Sequence, residues 1–382
     1  MTEKLYYADS HLRRFTAAVI ACTSGAQGFA VELDRTAFFP EGGGQPADTG
    51  TLGGVRVSDV QERGGRILHY TDGPITPGAA VTGELDWEQR FRRMQAHTGE
   101  HIVSGAAHSL YGCTNVGFHM GADGVIVDFD RELTQKQLET LEQQANAAVF
   151  ADLPVTAFFP DPAALAQLDY RSKLDLTEDV RLVEIEGVDL CACCAPHVSR
   201  TGEIGAVRIV DAMRHRGGVR LRLLCGWAAW EDALWKHACV AEISAALSAK
   251  QRETPTAVAR LQAELAAEKQ AQLQLKQALL RQMLAAVPET DGNFCLFDDT
   301  LDPITLRELV NAALPRIGGI CGVFSGADGR GYRYILASRT VDLRAEADAV
   351  NRALSGRGGG TPEMIQGSVA APRAAIEAYF GV

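Results

Sequence analysis

Between residues 229 and 287 the chain contains no glycine and is filled with Ala, Leu, Gln and Glu, and this stretch sets the modular plan of the whole molecule. One helix is expected from about Ala229 to Lys250. A second begins at Thr254-Pro255, an N-cap followed by proline at the first helical position. Val258, Leu261 and Leu265, then Leu275 and Leu279, keep a three-to-four spacing that Glu268 and Gln272 interrupt, the pattern of a helical hairpin or short coiled coil. An arm of roughly 30 residues reaches about 45 Å at the helical rise. It separates modules, and a chain of 382 residues exceeds one ordinary core in any case.

The texture on either side supports an α+β multidomain reading. Residues 1–85 alternate glycine turns with short apolar runs, AAVIAC (17–22), FAVEL (29–33), GVRVSDV (54–60) and RILHY (66–70), the rhythm of a small β-barrel. Residues 86–228 begin with a helical stretch from Trp87. VGFHMGADGVIVDFD then reads as a hairpin, LTQKQLETLEQQANAAVFA as an amphipathic helix, and residues 180–185, 205–212 and 218–225 as strands. These pieces suit helices on one face of a mainly antiparallel sheet. Residues 229–287 are the helical linker, and 288–382 return to α/β texture, with a hairpin in GVFSGADGRGYRYILAS and a glycine-rich loop in GRGGGTPEMIQGS.

A net charge of -11 argues against a protein that coats nucleic acid nonspecifically. Locally the balance reverses: six arginines between Arg200 and Arg222 face only Glu203 and Asp211, and seven between Arg316 and Arg357 face four acids. These clusters permit an RNA partner, although solvated surface explains any single arginine. The first residues lack a secretory pattern, and no apolar run is long enough to span a bilayer, so a cytoplasmic protein without membrane contact is expected. Nine cysteines scattered through the chain, three of them packed into Cys191, Cys193 and Cys194, suit reduced thiols kept for metal more than a disulfide framework.

His97 and His101 lie four residues apart in a helical stretch and fall on one face, where both can grip one ion. Cys193 and His197 repeat that spacing beside Pro196, and a thiolate with an imidazole suits a tetrahedral N/S site. Together they make a three-histidine, one-cysteine set for zinc. Such a set can be structural or catalytic, and Cys191 or Cys194 could replace Cys193. His97 to His101 also spells HxxEH, the inverted zinc-peptidase motif, with Glu100 as base and Glu184 as a third ligand; that reading leaves CCAPH without a role.

TAFFPEGGGQPADTG (36–50), DWEQRFRRMQAHTGEH (86–101) and CCAPHVSRTGEIG (193–205) resemble the motif blocks of alanyl-tRNA synthetase editing domains and of the free-standing alanyl-tRNA editing proteins of the AlaX type. The last segment, with residues 356–368, is similar to the DHHA1 module that follows the editing domain in those synthetases. The resemblance implies zinc ligands at His97, His101, Cys193 and His197, and an amino-acid pocket lined by Thr36, Gly43, Gly44 and Gln45. It departs at CCAPH, where the family usually has CGGTH. The implied reaction is hydrolysis of seryl-tRNA(Ala), with glycyl-tRNA(Ala) as a second candidate, by a free-standing hydrolase with a zinc cofactor. Thr36 and Gln45 would recognise the serine hydroxyl, which correct alanine lacks.

Nothing before residue 85 is long enough for a class II synthetase core, so editing in trans is expected, without aminoacylation. Arg357 with Gly358, Gly359 and Gly360 would present a cation and backbone N–H groups to tRNA phosphate. The helical hairpin or the C-terminal domain could pair two chains. Two other functions stay open: the inverted-motif peptidase, and a noncatalytic RNA-binding adaptor with a structural zinc.

Overall fold

A computed structural model describes residues 2–25, 28–172 and 180–382. It divides into two compact units, residues 1–242 and 243–382.

The first unit opens with β1 (Arg14–Gly25), β2 (Gly28–Leu33), β3 (Gly50–Leu52), β4 (Val55–Arg63), β5 (Arg66–Thr71) and β6 (Ala80–Leu85), which close into an antiparallel barrel in the order β1-β2-β5-β4-β3-β6. Strict alternation drives it: Phe15, Ala17 and Val19 point inward while Arg14, Thr16 and Ala18 face out. Four strands contain the apolar runs read from sequence. The other two, β3 and β6, were missed, because GTL is short and AVTGEL carries Gly83 where an apolar side chain would mark the pattern.

Helix α1 (Trp87–Tyr111) follows and ends where Gly112 takes the left-handed conformation, a common C-terminal stop. β7 (Asn115–Gly121) and β8 (Gly124–Phe129) form the expected hairpin, and α2 (Gln135–Phe150) starts with a capping box between Thr134 and Gln137. After β9 (Val155–Phe158), β10 (Leu182–Ile185) and β11 (Asp189–Ala192) come β12 (Val207–His215) and β13 (Gly218–Cys225). They make two antiparallel sheets, β12-β13-β8-β7 and β9-β10-β11. Met94, Ile102, Val103 and Ala107 of α1 join Val125 and Val127 of β8 and Leu221 and Leu223 of β13 in one buried core. Helix α1 is thus clamped along its length.

Barrel and helix are tied by a buried ion pair. Arg90 donates to Asp48 through Nε at 2.9 Å and also to the carbonyls of Ala37 and Ser10, with both charged side chains 1% exposed. Asp48 in turn accepts the Phe39 N–H.

Helix α3 (Trp227–Ala246) and helix α4 (Thr254–Ala285) are the long helices expected from composition. Val258, Leu261, Leu265, Leu275 and Leu279 are exposed. Among the described residues, no helix is long and apolar enough to cross a membrane.

In the second unit, β14 (Phe294–Phe297), β15 (Ile320–Ala327), β16 (Gly331–Ser338), β17 (Gly356–Gly360) and β18 (Met364–Val369) form a sheet ordered β14-β15-β16-β18-β17, with α5 (Pro303–Ala313), α6 (Leu343–Ala353) and α7 (Arg373–Phe380) interleaved. The glycine-rich segment is therefore a strand and not the expected loop. Glycine is required there for closeness: a Cβ on Gly358 would stand 2.2 Å from the Tyr334 hydroxyl and 2.6 Å from the Gln366 carbonyl.

Candidate metal centre

His97 and His101 project from the same face of α1, their ring centroids 5.4 Å apart. The turn after β11 brings Cys193 and His197 to that face. Cys193 Sγ lies 3.3 Å from His197 Nε2 and 3.6 Å from His97 Nε2, and one ligand atom from each of the four residues falls within 4.8 Å of the others. In a tetrahedral zinc site, ligand atoms stand roughly 3.3–3.7 Å apart, given bonds of about 2.0–2.3 Å. The two Cys193 separations match that spacing, and the four donors could hold a metal ion.

Each imidazole is held by a partner behind it. His97 Nδ1–H donates to Gln45 Oε1 at 2.8 Å, and His101 Nδ1–H to Asp189 Oδ2 at 3.0 Å. His197 Nδ1 meets the Thr98 hydroxyl at 3.0 Å, which also accepts the Val198 N–H. An amide oxygen and a carboxylate can only accept, so His97 and His101 carry a proton on Nδ1 and turn Nε2 to the centre. Burial pushes the Cys193 thiol up, but His97, His197 and His101 around it outweigh burial and hold it well below the usual thiol range. Burial likewise lowers His197 to about 3, so it presents a neutral ring. Cys193 as a thiolate and His197 as a neutral ring suit a metal; at His101 burial pushes down, but Cys191, Asp189 and Cys193 outweigh it and hold that ring well above its ordinary value.

A second group, His101, Asp189 and Cys191, also has donor atoms within 4.8 Å of one another. There Arg171 already supplies the positive charge, donating to Asp189 Oδ1 at 2.6 Å and Oδ2 at 2.8 Å. Burial raises the Cys191 thiol above its ordinary value. The charge pattern therefore selects the four-donor set, and Cys193 is the cysteine within it. Cys194 is in neither donor group, and burial pushes its thiol up to about 11.

The pocket residues expected from sequence separate into two groups. Gly42 and Gln45 exchange both backbone hydrogen bonds around Gly43 (φ 58°) and Gly44 (φ 79°), a tight turn that needs two left-handed residues. Gly44 also accepts the Met120 N–H, and a Cβ on it would lie 2.4 Å from the Phe118 ring, itself beside His97. This turn delivers Gln45 to the centre. The buried Nε2 of Gln45 has no hydrogen-bond partner among the described residues, an uncompensated donor beside the four ligands.

Thr36 is fully buried, and its hydroxyl is committed elsewhere. His69 Nδ1–H donates to the Val31 carbonyl at 3.0 Å, so its bare Nε2 takes the Thr36 hydroxyl proton at 2.8 Å, while the Phe38 N–H occupies the Thr36 oxygen. Arg357, Gly358, Gly359 and Gly360 lie in the other unit, exposed on the edge strand β17. Arg330, Arg333 and Arg357 line an open cleft of about 740 Å³ there.

The peptidase reading loses its parts. Glu100 Oε1 accepts from Ser104 and Asn115, and Glu184 is exposed on β10. Sequence reasoning passed over Asp189, Thr98 and Arg171. The available signal was Asp189 itself, a lone charge in the otherwise apolar run VDLCA.

Residues 180–221 match the threonyl and alanyl tRNA synthetase second additional domain, and residues 3–89 match the class II (A) tRNA synthetases. An alanine–tRNA ligase of Ignicoccus hospitalis is 32% identical over 94% of this chain, and the alanyl-tRNA editing protein Aarsd1 of Mus musculus is 34% identical over 53% of it. The chain spans 40% of the ligase and 53% of the editing protein. Among solved structures, the C-Ala domain from Aquifex aeolicus alanyl-tRNA synthetase aligns with 24% of this chain and 86% of its own, at a TM-score of 0.20 and 20% identity.

Proposed function

Because this chain is a relative of the alanine–tRNA ligases and the alanyl-tRNA editing proteins, we propose that it is a trans-editing hydrolase that deacylates tRNA(Ala) carrying serine, and secondarily glycine. The observation that carries the reading is the meeting of His97, His101, Cys193 and His197 beside the unpartnered Nε2 of Gln45. Zinc held by these four would supply Lewis acidity for an ester bond, which needs less activation than an amide.

The protein's own groups do the remaining work. Gln45 acts in two directions: its oxygen orients His97, and its Nε2–H donates to an oxygen of the bound aminoacyl group. A serine hydroxyl meets that donor, whereas alanine leaves it unpaired, at a cost of about 1–3 kcal/mol. Thr36, whose hydroxyl donates to His69 and accepts from the Phe38 N–H, contributes as a wall residue. Glu100 serves the fold of α1 and is not a base. On the second unit, Arg357 with Arg333 would hold tRNA phosphate, and the outward N–H groups of edge strand β17 would assist.

The test is a deacylation panel on Ser-, Gly- and Ala-charged tRNA(Ala), with and without chelator. Release of serine that stops on chelation is expected, with Ala-tRNA(Ala) left intact. Cys193→Ala should lower zinc content and serine release together, and Glu100→Gln should keep most of the rate. Zinc-loaded protein that binds the tRNA but leaves Ser-tRNA(Ala) whole would make it an adaptor instead.

A further inference from the structure

We infer that Asp189 and Arg171 form a positioning pair that dictates which nitrogen His101 turns to the metal centre. The inference rests on the metal centre alone and is independent of the tRNA substrate.

Asp189 is buried, with its side chain 1% exposed, and both of its oxygens are in use. Arg171 grips it bidentately, Nε to Oδ1 and a terminal nitrogen to Oδ2, while Oδ2 also receives the His101 Nδ1–H. Arg171 is itself clipped to β11 from both sides of Cys191: its N–H donates to Leu190 at 2.8 Å, and its carbonyl accepts from Ala192 at 2.9 Å. The guanidinium is thus anchored to the strand that leads, two residues later, into Cys193. Gly105, one turn beyond His101, makes the approach possible. A Cβ there would stand 2.4 Å from the Val188 carbonyl and 2.8 Å from Asp189 Cβ, so any larger residue would hold α1 off the carboxylate.

Two donors converge on one acceptor-only group, and that makes the arrangement directional. An asparagine at 189 has one acceptor and one donor end. Arg171 must take the acceptor, since it has no lone pair to offer. The amide NH₂ then faces His101, which can meet it only by baring Nδ1 and moving its proton to Nε2, the nitrogen the metal needs bare. The ligand would be lost through its tautomer, with every other contact in place.

The experiment measures zinc affinity of the full chain by competition with a chromophoric chelator, in Asp189→Asn, Arg171→Met and the double variant. Circular dichroism establishes that each is folded. Asp189→Asn should weaken zinc binding about 10- to 100-fold, and Arg171→Met distinctly less. The double variant should bind zinc more tightly than Asp189→Asn, because the asparagine is then free to turn its oxygen to His101. A merely structural role predicts the opposite order, with the two losses adding. Long-range ¹H–¹⁵N spectra of the metal-free proteins should show a proton on His101 Nδ1 in the wild type and a bare Nδ1 in Asp189→Asn. Zinc binding by Asp189→Asn within about threefold of wild type, or a double variant weaker than either single one, overturns the inference. No tRNA enters these measurements, so a protein that binds zinc but spares Ser-tRNA(Ala) overturns only the substrate reading.

Discussion

His69 shows how a barrel residue controls its neighbours by staying neutral. Burial lowers its pKa from 6.5 to about 4, and its two nitrogens are fixed as donor to Val31 and acceptor from Thr36. The unfolded chain therefore binds the extra proton first as pH falls. The stability contributed by the neutral ring is complete above pH 6.5 and is lost progressively as pH drops toward about 4. The shift corresponds to about 3 kcal/mol. Urea unfolding of the wild type and of His69→Gln across that window should show the variant losing less stability by about this amount; parallel curves would remove His69 as a source of acid sensitivity. The same residue sets the direction of the Thr36 hydroxyl, which no local pattern around Thr36 announces. A hydroxyl's proton goes to its strongest acceptor, and the acceptor is 33 positions away in sequence.

Among elements, the Gly42–Gln45 turn and helix α1 decide the geometry of the centre. The turn binds β7 through the Gly44 carbonyl and packs Gly44 against Phe118. Gly44→Ala must find room for a methyl group 2.4 Å from that ring, in a left-handed conformation that a side chain disfavours. It should shift Gln45 away from His97, lowering serine release by an order of magnitude or more while the thermal midpoint falls only a few degrees. Unchanged deacylation would separate the turn from the reaction. Helix α1 was legible because its apolar and histidine positions follow one period. Strands β3 and β6 were not, since three residues and an interior glycine leave too little alternation to read. The glycine run 356–360 misled in the other direction: glycines that suggest a flexible loop here permit two strands and Tyr334 to pack unusually close.

At the scale of the whole molecule, charge is redistributed by folding. Of the arginines clustered between 200 and 222, Arg200 pairs with Asp152, Arg208 with Glu142, Arg214 with Glu132 and Arg220 with Asp128. The basic surface that sequence suggested there is largely neutralised; in the cleft of the second unit Arg330 pairs with Asp299, and Arg333 and Arg357 are the phosphate candidates. Arg357→Ala in the full chain should weaken tRNA binding and reduce the slope of log affinity against log salt by about 1, with intrinsic cleavage at saturating substrate unchanged. An unaltered slope would place the RNA contact elsewhere. What the sequence determined by itself was local: the period of the helices, the alternation of four barrel strands, and the spacing that puts two ligand-type side chains on one face of α1 and two more in one turn. Tertiary structure alone decided that those pairs meet, which of three cysteines joins them, and that Arg171 neutralises Asp189. These outcomes depend on contacts between residues tens of positions apart, where burial and hydrogen-bond direction, invisible to any local pattern, set the chemistry.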